Sequence, residues 1–335
     1  MTHEPRLPVT APIRSNALSR AGVSRLPGSG PLALALQGGG SFGAFTWGVL
    51  DRLLEQGGID WDMISGASAG AVNAVLLADG LAAGGPAEAR RKLAWFWEQV
   101  SRRTPSGAAM LAVAAFGASL RWVSPFALDP PALTPLRGLL EEAVDFPRLR
   151  AAASGAGPRL LIAATRVRDG ASMLFRSPEI TLEMVLASAC LPFLGQPVVI
   201  DGEACWDGGY SANPPLRALV EESRALDLLL VQLLPAGAEA VPRQSHDIAR
   251  RVQEITFNAP LQREEAELEA ARHADHGLFR SPLRRRLDRL RLHRIAAPDT
   301  VAGLERESPL DTGWPLLTRL KLAGRSAAEA WLAGG

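Results

Sequence analysis

Three short stretches of this chain set residues able to do chemistry among glycines. Ser68 stands in Gly66-Ala67-Ser68-Ala69-Gly70, after an apolar run ending at Ile64 and before a long apolar, helix-like stretch. That order reads as strand, sharp turn and helix, with a hydroxyl at the apex. Glycines two positions to either side let strand and helix approach closely, and the strained turn pushes the serine oxygen into the open at the end of a sheet, the setting of a nucleophile. Small residues around a serine also occur where a strand merely packs tightly on a helix, so the pentapeptide alone leaves both options open.

A second glycine stretch adds an electrophile-facing partner. Leu32 to Leu36 (LALAL) reads as a buried strand that runs into Gly38-Gly39-Gly40-Ser41-Phe42-Gly43 and then into a helix-like segment, Ala44 to Gln56. Backbone amides in such a loop carry no side chains over them and face the positive end of a helix dipole, so they can hold an anion. The anion could be a dinucleotide pyrophosphate, since Gly38, Gly40 and Gly43 match the spacing G-x-G-x-x-G. It could equally be the oxyanion formed when a serine attacks an ester carbonyl. A dinucleotide site wants an acid about twenty positions on, at the far end of the second strand. Here Asp60 and Asp62 come before or at the start of that strand, and its far end carries Ser68. The acid is misplaced for a nucleotide, and a nucleophile stands where esters would be attacked.

The third stretch is Asp207-Gly208-Gly209. Upstream, Pro197 to Ile200 and Glu203 to Trp206 flank Asp201-Gly202, which reads as two strands joined by a tight turn. Asp207 falls where the second strand ends, and the glycines after it let the chain turn away and leave the carboxylate facing a cavity. An ordinary surface turn uses the same residues, so the motif gains weight only beside the other two.

Taken in order, Gly38 to Gly43, Gly66 to Gly70 and Asp207 to Gly209 resemble the patatin-like phospholipases, lipid acyl hydrolases that use a serine and aspartate dyad. The similarity extends to Ala187-Ser188-Ala189-Cys190-Leu191-Pro192-Phe193 and to Asn213-Pro214, and spans about Leu32 to Leu216. It implies a three-layer α/β/α fold with a mostly parallel central sheet. It also implies that Asp207 accepts the proton of Ser68 as the hydroxyl attacks a lipid carboxylic ester, giving an acyl-enzyme that water hydrolyses. The implied oxyanion donors are amides of the glycine loop, Gly38, Gly39 and Gly40, with that of Ala69 after the nucleophile; Gly43, Gly66, Gly70, Gly208 and Gly209 support the motifs. A carboxylate of ordinary pKa, about 4, is a weak base, so the pair must meet directly in a partly dry site. One departure stands out: many members carry Arg or Lys where this chain has Phe42, leaving the loop its backbone amides but no cation.

Two other classes stay open. An α/β-hydrolase would need a histidine after the acid, and His246, His273, His276 and His293 lie downstream without a loop signature around them. A lipid-binding or regulatory protein could keep the fold with negligible turnover. Fluorophosphonate labelling of Ser68 separates that class from the enzymes.

Composition bounds the rest. The 335 residues are 47% hydrophobic with a net charge of +1, enough for one large α/β core or two smaller ones and without a global field for nucleic acid. Cys190 and Cys205 are the two cysteines, so a disulfide framework is excluded. Neither a metal-ligand cluster nor a cofactor motif is expected. The expected partner is a lipid ester, met by a cytoplasmic protein with peripheral membrane contact as an option.

The expected organisation is a disordered tail over residues 1–30, a catalytic domain over 31–300 and a carboxyl-terminal segment over 301–335. Inside the domain, 101–158 breaks the pattern, and the uncharged Gly107 to Leu120 leading to Phe126 suits either a flap over the acyl pocket or a core helix. Trp95-Phe96-Trp97 should pack in the core. Arg159 to Thr165 and Asp227 to Leu234 are buried-strand candidates, and Pro178 to Cys190 reads as a helix. Arg250 to Arg272 alternates Arg and Glu like a solvated helix. Seven arginines from Arg280 to Arg294 suggest either a solvated loop or an anionic head-group contact, ahead of a strand at Leu290 to Ile295. Pro315 to Trp331 reads as an amphipathic helix docked on the body.

Overall fold

The computed structural model describes residues 30–103, 134–155, 157–192, 194–238, 241–273, 281–297, 301, 303–304 and 307–334. The expectations for the amino-terminal tail, for Gly107 to Phe126 and for His276 lie outside the described residues.

Strand β1 (Leu32–Leu36) shows how the layers arise. A strand points successive side chains to opposite faces. Leu32, Leu34 and Leu36 enter one core with Phe45, Leu50 and Leu76, whereas Ala33 and Ala35 enter a second core with Leu219, Leu261 and Leu287. The first core is built mainly on α1 (Gly43–Gln56), α2 (Ala69–Arg103) and α9 (Trp314–Ala333); the second on α6 (Leu216–Glu222), α7 (Ser245–His273) and α8 (Pro282–Leu287), with Phe257 of α7 reaching the first. Helices therefore cover both faces of a buried sheet, giving the α/β/α sandwich. Each of the three leucines contributes about 1.5–3 kcal/mol by burial.

The sheet among the described residues runs β5 (Val198–Ile200), β6 (Glu203–Asp207), β3 (Arg159–Arg166), β2 (Trp61–Ala67), β1, β7 (Asp227–Gln232), β8 (Arg291–Ala296), with β4 (Ser172–Arg176) also on β3. The five strands β3, β2, β1, β7 and β8 are mutually parallel, and β4, β5 and β6 pair antiparallel. The register places Leu36 opposite Gly66, Ala67 opposite Ala163, and Ala164 opposite Asp207. The ends carrying the glycine loop, Ser68 and Asp207 thus lie side by side, with β3 between the last two.

Several segments depart from expectation. The helix in Pro178 to Cys190 is only α5 (Leu182–Ser188), because Thr181 stays extended and its side chain accepts the Met184 N–H at 3.3 Å, capping the helix late. Helix α2 is broken at Gly84 and Gly85, and its second half buries Phe96 and Trp97 as expected. Two short helices, α3 (Thr134–Ala143) and α4 (Phe146–Ala153), pack on α2. Helix α7 is more than a solvated helix: it begins earlier and buries Phe257, Asn258, Leu261 and Leu268. The described part of the arginine-rich stretch is helix and strand, and Arg286, Arg291 and Arg294 bond to the body. Arg286 donates to the Ala225 carbonyl at 2.7 Å and Arg291 to Asp227 at 2.6 Å.

Candidate active site

Ser68 terminates β2 with φ +53°, in the left-handed region that costs a residue with a side chain about 1–2 kcal/mol. The surroundings enforce this. Its N–H donates to the carbonyl oxygen of Ser188 at 3.1 Å and to the Ser188 hydroxyl at 3.0 Å, and its own carbonyl accepts from Val72, opening α2. A Cβ on Gly70 would overlap the Leu36 carbonyl oxygen, and one on Gly66 would sit 2.6 Å from the Gly70 carbonyl carbon. Glycine at both positions is what lets the strand and helix close on the serine.

Asp207, at the end of β6, is fully buried. Its N–H donates to the Cys190 carbonyl at 2.8 Å, and its Oδ1 accepts from the Gly209 N–H at 2.7 Å. Segment 188–190 therefore grips the backbone of both Ser68 and Asp207. Oδ2 is buried and closes no hydrogen bond among the described residues, while the Ser68 hydroxyl stands near enough to favour the ionised carboxylate. Burial outweighs that help and pushes the Asp207 pKa from 3.8 up to about 7. Gly208 lies against the Ala163 carbonyl, and Gly209 against the Phe257 ring, so neither has room for a side chain.

The glycine loop meets this pair from β1. Gly40 to Phe42 form one turn of 3-10 helix, with Gly40 at φ +58° against Pro309. Gly43 packs on Ala69 and Trp97. Gly39, Gly40 and Ser68 line one cleft of about 1170 Å³, with Ala69 at the start of α2 beside them. Gly38 differs from its neighbours. Its N–H donates at 2.7 Å to Oδ1 of Asn213, pointing into the body, which removes Gly38 from the amides available to an oxyanion. Among the described residues, nothing accepts from the N–H groups of Gly39, Gly40 or Ala69; the last two open helical turns, whose first amides lack partners within the helix.

The cleft has two characters. Phe42, Leu191, Leu234, Phe257, Leu304 and Leu310 supply apolar surface, so the position expected to lack a cation instead presents an aromatic ring. Helix α7 supplies charges that cancel locally, Arg250 on Asp247 at 2.7 Å and Arg251 on Glu254 at 2.9 Å. Its outer face exposes Ile248, Val252 and Ile255.

Other candidates lie elsewhere. His246 is beside Asp247, His273 pairs with Glu269 and His293 with Asp227; none of these three lines the cleft. Both thiols are free and buried, and burial pushes Cys190 up to about 11. Among the described residues no helix is long and apolar enough to cross a membrane.

A family model described as patatin-like phospholipase matches residues 34–220, more than half of the chain. The chain belongs to that family. By class it is therefore a lipid acyl hydrolase. Among solved structures, VipD from Legionella pneumophila is 15% identical, the match covering 92% of this chain and 67% of VipD at a TM-score of 0.40. The type III effector ExoU is 17% identical over 73% of this chain and 57% of its own, at a TM-score of 0.29. Full-length ExoU with SpcU, from Pseudomonas aeruginosa, is 18% identical over 75% of this chain and 57% of that chain, with the same TM-score. This chain thus spans little more than half of the ExoU chains it matches. No curated protein matches it.

Sequence reasoning missed the residues that hold this family member's site from behind. Gln37, fully buried, accepts from the N–H groups of Leu233 and Leu234 and donates to Asn258 on α7. Ser188 and Asn213 stood in segments singled out by resemblance, without a role. The one signal for Gln37 was a polar residue between an apolar strand and bare glycines; α7 lies beyond residues 34–220 and gave none.

Proposed function

We propose that this protein hydrolyses carboxylic esters of phospholipids or lysophospholipids through Ser68 and Asp207. The observation that carries the reading is a serine hydroxyl opening on a cleft and backed by a fully buried carboxyl whose pKa is raised to about 7. A base of that pKa is matched to neutral pH, where an ordinary carboxylate would be too weak. Ser68 Oγ attacks the ester carbonyl carbon as its proton passes to Asp207 Oδ2, the oxygen left without a partner. The tetrahedral oxyanion sits at the free amides of Gly39, Gly40 and Ala69, and the α2 dipole adds to its stabilisation. Collapse breaks the bond to the alcohol, which takes the proton from Asp207 and departs. Water, its proton passing to the same carboxylate, then attacks the acyl carbon; the bond to Ser68 Oγ breaks, Oγ takes that proton back from Asp207, and the fatty acid leaves.

The apolar cleft wall suits an acyl chain, and the mutually neutralised charges of α7 suit an uncharged or zwitterionic neighbour of the ester. The exposed Ile248, Val252 and Ile255 support peripheral contact with a bilayer.

The test is hydrolysis of a lipid panel by wild type, Ser68→Ala and Asp207→Asn, with fluorophosphonate labelling alongside. The expected result is labelled, active wild type and loss of turnover in both folded variants. Wild type that neither labels nor turns over would favour a lipid-binding role, and an active Asp207→Asn would favour a different base.

A further inference from the structure

We propose that Asn213 is a positioning residue that locks the peptide between Gly38 and Gly39 so that the Gly39 N–H faces the reacting carbonyl; this rests on the function proposed above. The Asn213 side chain is fully buried and touches both peptide groups around Gly38. Its Oδ1 accepts from the Gly38 N–H at 2.7 Å, and its Nδ2 donates to the Gly38 carbonyl oxygen at 3.4 Å and to the Phe257 carbonyl oxygen at 3.0 Å. The amide's orientation is forced, because only an oxygen can meet the N–H and only an NH2 can meet two carbonyls.

The geometry of a trans peptide supplies the rest. The Gly38 carbonyl and the Gly39 N–H belong to one planar unit and point in opposite directions. A carbonyl drawn back towards Asn213 therefore turns its N–H forward, on the side where Gly39 and Ser68 line the cleft. Between two glycines such a plane has little intrinsic preference and can rotate at small cost. Asn213 removes that freedom. The same side chain ties the loop to the rest of the site: it follows the Asp207 turn, and its partner Phe257 packs against Gly209, whose N–H holds Asp207 Oδ1. One residue thus relates the oxyanion amide, the acid and the cleft wall on α7.

The experiment compares wild type with Asn213→Ala and Asn213→Asp, the second keeping the acceptor for Gly38 N–H while turning an oxygen towards the Gly38 carbonyl. Steady-state hydrolysis of a soluble short-chain ester, the rate of fluorophosphonate labelling of Ser68 and melting curves are measured for each. Both variants are expected to lose kcat by about a hundredfold, as when an oxyanion donor is lost. The labelling rate should fall in parallel and KM should stay within about twofold, because ground-state binding does not use the amide. A folded variant with wild-type kcat, or one whose KM rises while kcat holds, would overturn the proposal. Failure of both variants to fold would overturn it as well, making Asn213 a residue of the fold alone. A wild-type protein that takes no fluorophosphonate would instead sink the esterase reading itself, so the two failures are told apart by the first lane of the labelling gel.

Discussion

Ser188 takes the backbone N–H of Ser68 twice, through its carbonyl oxygen at 3.1 Å and through its hydroxyl at 3.0 Å. That double acceptor pins a residue whose backbone is otherwise unfavourable. Ser188→Ala removes one of the two acceptors and leaves the other. The expected cost is about 0.5–1.5 kcal/mol, read as a roughly two- to tenfold fall in kcat with KM unchanged. A larger fall in stability than in kcat would assign the hydroxyl to packing.

The pH profile tests the acid. With Asp207 titrating at about 7 in the free protein, kcat/KM should rise about tenfold per pH unit below that value and level off by about pH 8. A profile flat down to pH 5 would mean that the proton goes elsewhere.

Stability should respond to the same group with the opposite sense. The folded chain keeps the Asp207 proton between about pH 4 and 7, where the unfolded chain has released it. Its contribution is therefore full below the unfolded value of 3.8 and lost as the pH climbs through about 7. Asp207→Asn carries no such burden. It should be more stable than wild type at pH 8, on the order of 2 kcal/mol, with the difference fading towards pH 4 in urea melts at each pH.

Two glycines should behave oppositely. Gly70→Ala drives a methyl group into the Leu36 carbonyl and should cost about 3 kcal/mol or more, together with activity. Gly202→Ala, in the open β5–β6 turn at φ +82° with nothing within 4 Å, should cost about 1 kcal/mol and leave kcat alone. Denaturant titrations and ester assays of both variants check this.

Replacing Ile248, Val252 and Ile255 together by serine should leave hydrolysis of a soluble short ester within about twofold of wild type. Hydrolysis of vesicle phospholipid should drop roughly tenfold or more as apolar anchoring is lost. Equal rates on vesicles for both proteins would remove α7 from any membrane contact.

Much of this was legible because the informative residues are local. LALAL, the glycine loop, the Ser68 pentapeptide and the Asp201-Gly202 turn each state their structure within a few positions, and the observed elements follow them closely. What was not legible is long range. The bond from Asn213 to Gly38 spans 175 positions and that from Gln37 to Asn258 spans 221, distances over which no periodicity carries information. Helix α7 was legible as a helix over Arg250 to Arg272 but its seating was not: Arg and Glu recur along it, so the few buried residues that dock it read as interruptions. Strand β4 is short and half exposed, with too little alternation to stand out. Gly38 was expected to donate to an oxyanion on the strength of its neighbours, and only the position of Asn213 reveals that its N–H is spent elsewhere.

Strand β3 offers neither a hydroxyl nor an acid to the cleft, yet its pairing of Ala163 with Ala67 and of Ala164 with Asp207 works as a ruler. Sliding β6 by two positions, the smallest slip that keeps its faces, would carry the carboxyl about 7 Å along the sheet. An insertion inside that hairpin ladder would part the carboxyl from the hydroxyl outright, whatever lines the cleft. The reach between hydroxyl and carboxyl is thus set by strand pairing, apart from the residues that line the cleft.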